Sequence, residues 1–156
     1  EKYSPETGEV HAYNPGGKAP AYEEARAHWR QEINGLIFKF KPEPEYPKFR
    51  QSVLITLALT HIHDHQTSPA SDAALVYRTH VCTCYGEIDL STYQPLTKEI
   101  SPGVYQMAVK FGEGEDWEVD VVATFKDGRS VKATFPIKVH SPAYAGPASA
   151  PKKTDR

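Results

Sequence analysis

The chain has 156 residues, a formal net charge of −2 and 39% hydrophobic residues. This length suits one domain with a substantial core plus some extension. The basic residues are spread singly along the chain, which argues against a nucleic-acid-binding protein. No apolar stretch approaches the ~18–20 residues that span a bilayer, so we expect no transmembrane segment.

The first third of the chain predicts an arm, a helix and a connector. Residues 1–20 are rich in proline and glycine and show no periodicity, which is typical of an irregular N-terminal arm. Apolar residues at helical spacing predict a helix over residues 21–33, which Gly35 would end. Residues 36–41 predict a short strand, and residues 42–49 predict a Pro-rich extended connector.

From residue 50 onward, apolar and polar residues alternate as they do in β-strands. The predicted strands cover residues 53–59, 75–81, 86–90, 104–110, 117–125 and 131–139. Pro136 lies inside the last strand, which places that strand at a sheet edge because proline cannot donate to a ladder. About seven strands at roughly ten-residue spacing predict a mainly β fold, an immunoglobulin-like antiparallel β-sandwich over residues 50–140.

The C-terminal residues 141–156 are low in complexity and rich in proline and alanine, so we expect an extended tail. Segments of this composition seldom order on their own. We therefore expect a protein partner or a second copy of the chain to be bound through residues 1–50 and 141–156. Several tyrosines there suit an interface, although their rings could equally pack onto their own domain.

Two short runs place metal-ligating side chains at every second residue. The candidate ligands are His61, His63 and His65 in the first run, and His80, Cys82 and Cys84 in the second. Residues i, i+2 and i+4 of a strand share one face, so each run would present its ligands to one side. Thiolate and imidazole suit Zn(II) or Cu(I). The sequence therefore predicts a copper or zinc site formed by some subset of these six residues.

The two runs are expected on different faces of their strands. His61 and its two successors continue the odd-numbered apolar row of residues 53–59, so they would leave the core face at the mouth of the sandwich. His80 and the cysteines have the opposite parity from Leu75, which places them on the outer face unless a bulge turns them inward. On a flat strand the outer two histidines are roughly 13 Å apart, so one ion could bind only two of the three.

Other interpretations of the two runs remain open. Cys82 and Cys84 could be free thiols, small buried apolar residues or a strained redox disulfide, which would require the strand to bend. The histidines stand beside Asp64 and Gln66 and could simply be solvated.

Catalytic motifs are not evident in the sequence. It contains no nucleophile elbow, P-loop or dinucleotide fingerprint. The acidic pairs are expected in turns or on outward faces, where they would be solvated instead of acting as general acids and bases. These pairs are Glu43/Glu45, Glu113/Glu115 and Asp116/Glu118. We therefore do not expect an enzyme.

Residues 50–140 resemble the YtkA-like or FixH-like extracytoplasmic domain. The features that match are Ala70-Ser71-Asp72-Ala73 before a strand, residues 102–105, residues 114–119 and the closing hairpin that ends at residues 134–139. In such domains the link between the first two strands is normally a short turn of the form Asp-x-x-Gly-x-Pro. In this chain the link is a longer segment, residues 61–71, which carries three histidines. The resemblance implies an exported or membrane-anchored bacterial protein, and some such proteins are linked to copper handling and oxidase assembly.

Three functions follow as hypotheses. The first is an exported protein of the periplasm or cell surface that binds copper or zinc and acts in metal trafficking or as an accessory to a redox complex. Because residue 1 is Glu, we expect that a signal peptide was removed or that the chain was trimmed. The second is a non-catalytic structural subunit held in an assembly by its arms. The third is a thiol redox protein that uses Cys82 and Cys84.

Overall fold

The computed structural model describes residues 20–81, 92–112 and 114–140. These residues form one short helix and ten strands, so the predicted mainly β fold is confirmed. The elements are α1 (Tyr22–Ala27), β1 (Arg30–Ile33), β2 (Leu36–Glu43), β3 (Ser52–His63), β4 (Gln66–Pro69), β5 (Ala74–Val81), β6 (Gln94–Leu96), β7 (Glu99–Ser101), β8 (Val104–Lys110), β9 (Asp116–Thr124) and β10 (Ser130–Lys138). The predicted arm over residues 1–19, the strand at 86–90 and the tail over 141–156 lie outside the described residues.

Two antiparallel sheets make up the fold. The first sheet has the order β1-β2-β3-β8-β7, with β4 also paired to β3, and the second has the order β10-β9-β5-β6. The core lies between them, because the odd-numbered residues from 53 to 59 in β3 and from 117 to 123 in β9 are apolar and buried. In the described ranges, the single helix is too short and too polar to cross a membrane.

The predicted helix over residues 21–33 is wrong in its second half. The helix ends at Ala27, and β1 pairs instead with β2 in a hairpin, with Ile33 opposite Leu36. Between the two strands, Asn34 and Gly35 have φ angles of 50° and 77°. Asn-Gly is the favoured pair for a two-residue hairpin turn because both residues tolerate positive φ. This local signal outweighs the helical spacing of the apolar residues.

The predicted edge position of the strand that contains Pro136 is confirmed, because β10 is the outer strand of the second sheet. Side chains from β1 and the preceding turn cover this edge. The indole Nε1 of Trp29 donates to the Pro136 carbonyl at 2.8 Å, and the Gln31 amide donates to the Thr134 carbonyl at 2.8 Å. These bonds satisfy backbone acceptors that an open edge would offer to another strand.

Strand β3 changes its neighbour at Leu59. The Leu59 amide donates to the Gly103 carbonyl at 2.8 Å, and the Leu59 carbonyl accepts from the Ala70 amide at 2.9 Å. Before this point β3 pairs with β8, and beyond it β3 pairs with β4. The expectation of a long link over residues 61–71 is therefore wrong, because β3 continues to His63 and forms a hairpin with β4.

Replacement of Gly103 by Ala should destabilise the fold, because the backbone of this glycine lies directly against the backbone of Leu59. An added Cβ would lie 2.7 Å from the Leu59 carbonyl oxygen, and the φ angle is +77°. Gly128→Ala is the matched control, since its φ is +92° but nothing lies within 4 Å of an added Cβ. In chemical denaturation we expect Gly103→Ala to lose about 1–3 kcal/mol more than Gly128→Ala. Equal losses would show that the contact is unimportant.

Candidate functional site

His61 stands at one end of the sandwich, held between the two sheets. It follows Leu59 in the inward-facing row of β3, as predicted, and its side chain keeps 28% of its exposure. Its Nε2 lies 3.0 Å from Oδ1 of Asp72, and its ring centroid lies 5.3 Å from that of Phe125. We call this end, where His61, residues 70–73 and residues 125–129 meet, the mouth.

The other two histidines of the first run are solvent-exposed. His63 is the last residue of β3, and its side chain is 90% exposed, with Nε2 3.4 Å from Asp64 Oδ2. Asp64 and His65 have φ angles of 53° and 64° and form the two-residue turn into β4. The alternating row therefore ends at His63, and the expectation that His65 extends it is wrong.

Asp72 is the acidic partner of His61 at the mouth. The hydrogen bond with His61 holds the pKa of the Asp72 carboxyl below its usual value, and the charge of Lys126 contributes in the same direction. Asp72 remains 55% exposed. The mouth therefore offers one imidazole and one ionised carboxylate side by side, both reachable from solvent.

His80 belongs to a buried group of charges on the outer face of the second sheet. It is 4% exposed and faces Glu118 and Asp120 of β9, which are 0% and 2% exposed. Its Nε2 lies 3.1 Å from Asp120 Oδ2 and 3.5 Å from Glu118 Oε1. The outer-face position that the parity predicted is confirmed, but solvent does not reach it.

Both ring nitrogens of His80 face groups that only accept hydrogen bonds. Nδ1 lies 2.9 Å from the Val81 carbonyl oxygen, and Nε2 meets the Asp120 carboxylate. Each nitrogen must therefore carry a proton, which makes the ring an imidazolium. Burial acts to lower the pKa of His80, but the bonds to Asp120 and Val81 and the nearby negative charges outweigh it and raise that pKa. A nitrogen that carries a proton cannot bind a metal.

Asp120 is the centre of this group. Its Oδ2 accepts from Arg78 Nε at 2.8 Å, and its Oδ1 accepts from the Thr134 hydroxyl at 2.7 Å. Burial alone would raise the pKa of Asp120, but the bonds from His80, Thr134 and Arg78 hold it far below its usual value. These bonds compensate the charge of the carboxylate inside the protein.

The expectation that the pair Asp116/Glu118 is solvated is wrong for Glu118, which is fully buried. The sequence does contain a signal for this arrangement. Arg78 and His80 stand two residues apart on β5, opposite Asp120 and Glu118 on β9. Opposite charges on facing positions of neighbouring strands stabilise a sheet. The four residues could therefore be predicted to interact if β5 were known to pair with β9 in this register.

The structure does not bring His80 close to the first run. Asp72, which holds His61, lies just before the start of β5, whereas His80 lies near its end. The six residue steps from Ala74 to His80, at ~3.3 Å each, separate the two ends of β5 by roughly 20 Å. Cys82 and Cys84 lie outside the described residues. Within residues 20–81, 92–112 and 114–140, no three His, Cys, Asp or Glu side chains are grouped closely enough to hold a metal ion as placed.

Asp120→Asn should be strongly destabilising, because it removes the buried charge on which His80, Arg78 and Thr134 converge. We expect a loss of about 3–5 kcal/mol in the free energy of unfolding, measured by chemical denaturation. Asp116→Asn is the control, since Asp116 pairs with Lys138 in a partly exposed setting, and it should cost about 1 kcal/mol. Similar losses for the two variants would contradict the central role of Asp120.

His80→Gln should cost more stability at low pH than at high pH. A folded-state pKa raised above the ordinary value of 6.5 gives a contribution that is fully present below that value. The contribution is lost as the pH rises through the folded-state pKa. Denaturation at about pH 5.5 and about pH 8.5 measures it, with the exposed His63→Gln as control. A loss that grows with pH would contradict an imidazolium at His80.

Comparison with known proteins gives a fold-level likeness. No family model and no curated protein matches the chain. The soluble domain of PmoD from Methylocystis sp. ATCC 49242 (Rockwell) is similar in structure, with 14% identity and a TM-score of 0.50 over 71% of this chain and 96% of that one. A superoxide reductase (neelaredoxin) from Ignicoccus hospitalis reaches 12% identity and a TM-score of 0.44 over 66% of this chain and 79% of that one, too little to carry an argument. The first likeness supports the β-sandwich, and membership of the YtkA-like or FixH-like family stays a prediction.

Proposed function

We propose that this protein is a metal-binding β-sandwich domain that holds copper or zinc at the mouth through His61 and His63. The observation that carries the proposal is the position of His61. Its Nε2 lies just past the buried row of β3, next to a carboxylate and within reach of solvent. Strands hold ligands more firmly than loops do, so this nitrogen is already positioned before an ion arrives.

His63 is the second ligand of the proposed site. It lies two residues after His61 on β3, so the two side chains leave the strand on the same face with their Cβ atoms roughly 7 Å apart. Because the His63 side chain is 90% exposed, it can rotate towards His61 without breaking any packing. Two imidazole nitrogens at ~2.0–2.1 Å from one ion are compatible with this spacing.

His80 of the second run does not belong to the same site. His80 is roughly 20 Å from the mouth along β5, and both its ring nitrogens are occupied by hydrogen bonds. His80 is therefore not a ligand of the proposed site. We further propose that the domain acts outside the cytoplasm, in metal trafficking or as an accessory to a redox complex, with residues 1–50 and 141–156 contacting its partner. The resemblance to YtkA-like and FixH-like domains supports this wider role.

Metal titration of a Cys82→Ser/Cys84→Ser protein tests the mouth site without interference from thiols. We expect one equivalent of zinc or copper to bind, measured by calorimetry and by metal analysis after dialysis. His61→Ala and His63→Ala should each weaken binding about tenfold or more. His140→Ala is the control, because this exposed histidine follows β10 at the end opposite the mouth.

Two results would contradict the proposed function. One is the absence of any bound metal in the cysteine-free protein. The other is metal binding that all three histidine variants leave unchanged, which would show that the ion is held elsewhere.

A further inference from the structure

We infer that Asp72 is the third ligand at the mouth, and that its carboxylate makes the site selective for a divalent ion, Zn(II) or Cu(II), over Cu(I). This inference rests on the proposed function and adds a ligand and an oxidation state to it. Asp72 lies outside both histidine-containing runs, and no periodicity of the sequence marks it.

The distance between His61 and Asp72 is the first support. His61 Nε2 and Asp72 Oδ1 are 3.0 Å apart. Two ligand atoms that each lie ~2.0–2.2 Å from the same tetrahedral ion are roughly 3.3–3.6 Å from each other. An opening of a few tenths of an ångström therefore lets an ion replace the hydrogen between them, while His61 carries its proton on Nδ1.

The second support is that the backbone fixes both residues to the same point. Ala70 is fully buried, its amide donates to the Leu59 carbonyl at 2.9 Å, and its carbonyl accepts from the Tyr105 hydroxyl at 3.3 Å. Leu59 stands two residues before His61, and Ala70 stands two residues before Asp72. The hydrogen bond between Leu59 and Ala70 therefore holds His61 and Asp72 close together before a metal binds, which lowers the conformational free energy needed to form the site.

The chemistry of the ligands determines the preferred ion. A carboxylate is a hard ligand that favours divalent ions, whereas Cu(I) is selected by soft thiolate and thioether sulfur. Two imidazoles and one carboxylate are a set found with Zn(II), Cu(II) and other divalent metals, with room left for water. Lys126 and Arg129 carry charges that oppose an incoming cation, but both side chains are exposed and screened by salt.

The test compares Asp72→Asn with Glu43→Gln in the cysteine-free protein. Glu43 is exposed and ends β2 opposite Leu54, far along β3 from His61, so its variant removes the same charge at a distance. Zn(II), Cu(II) and, under a reductant, Cu(I) are titrated separately. We expect Asp72→Asn to weaken Zn(II) and Cu(II) binding about tenfold or more. Binding of Cu(I) should change less than about twofold, and Glu43→Gln should change none of the three.

The Cu(II) electron paramagnetic resonance spectrum gives a second readout, because exchange of a carboxylate for an amide alters the copper parameters. Asp72→Ala should give the same loss, and thermal unfolding of both metal-free variants verifies that they fold. Unchanged Zn(II) and Cu(II) binding in Asp72→Asn would overturn the inference, and so would an equal loss for all three ions. If His61→Ala still weakens metal binding, either of these results excludes Asp72 as a ligand but leaves the proposed function in place. If the cysteine-free protein binds no metal, both the proposed function and the inference about Asp72 are contradicted.

Discussion

The two backbone hydrogen bonds of Leu59 are the constraint on which the architecture depends. The amide joins β3 to the Gly103 loop, and the carbonyl joins it to Ala70, so one residue ties together both neighbours of β3 on that side. Gly103 is required there because a side chain would collide with the Leu59 carbonyl. Past this junction β3 is free of β8 and can carry His61 out to the mouth. Residues 70–73 return from the same junction, which is why Asp72 meets His61.

The two ends of β5 show how burial divides similar residues between different roles. At the mouth, a histidine and an aspartate share one hydrogen bond and stay open to solvent, so a cation can reach the two facing atoms. Near the other end of β5, His80 and Asp120 are enclosed, and Arg78 and Thr134 complete the hydrogen bonding of the carboxylate. A cation entering there would have to displace an arginine from a buried carboxylate, which is costly. The buried group therefore stabilises the sheet, and the open pair is the candidate for binding.

Much of the fold could be predicted from the sequence, because a strand buried on one face must alternate, as residues 53–59 do. The predicted helix over residues 21–33 was wrong because it was based on the spacing of apolar residues alone. The Asn34-Gly35 turn favours a hairpin, and residues 30–33 form a strand instead. The site was predicted only in part. His61 lies on a regular row and could be found, whereas Asp72 lies in a link and is brought to His61 only by pairing across the sheet. The partners of His80 likewise depend on the register of β5 against β9.

The most direct test of the account is anomalous diffraction from crystals of the zinc-loaded cysteine-free protein. We expect a single strong peak at the mouth, ~2.0–2.2 Å from His61 Nε2 and from an oxygen of Asp72, with His63 turned towards it. A peak beside His80, or one at the mouth that contacts neither His61 nor Asp72, would contradict it.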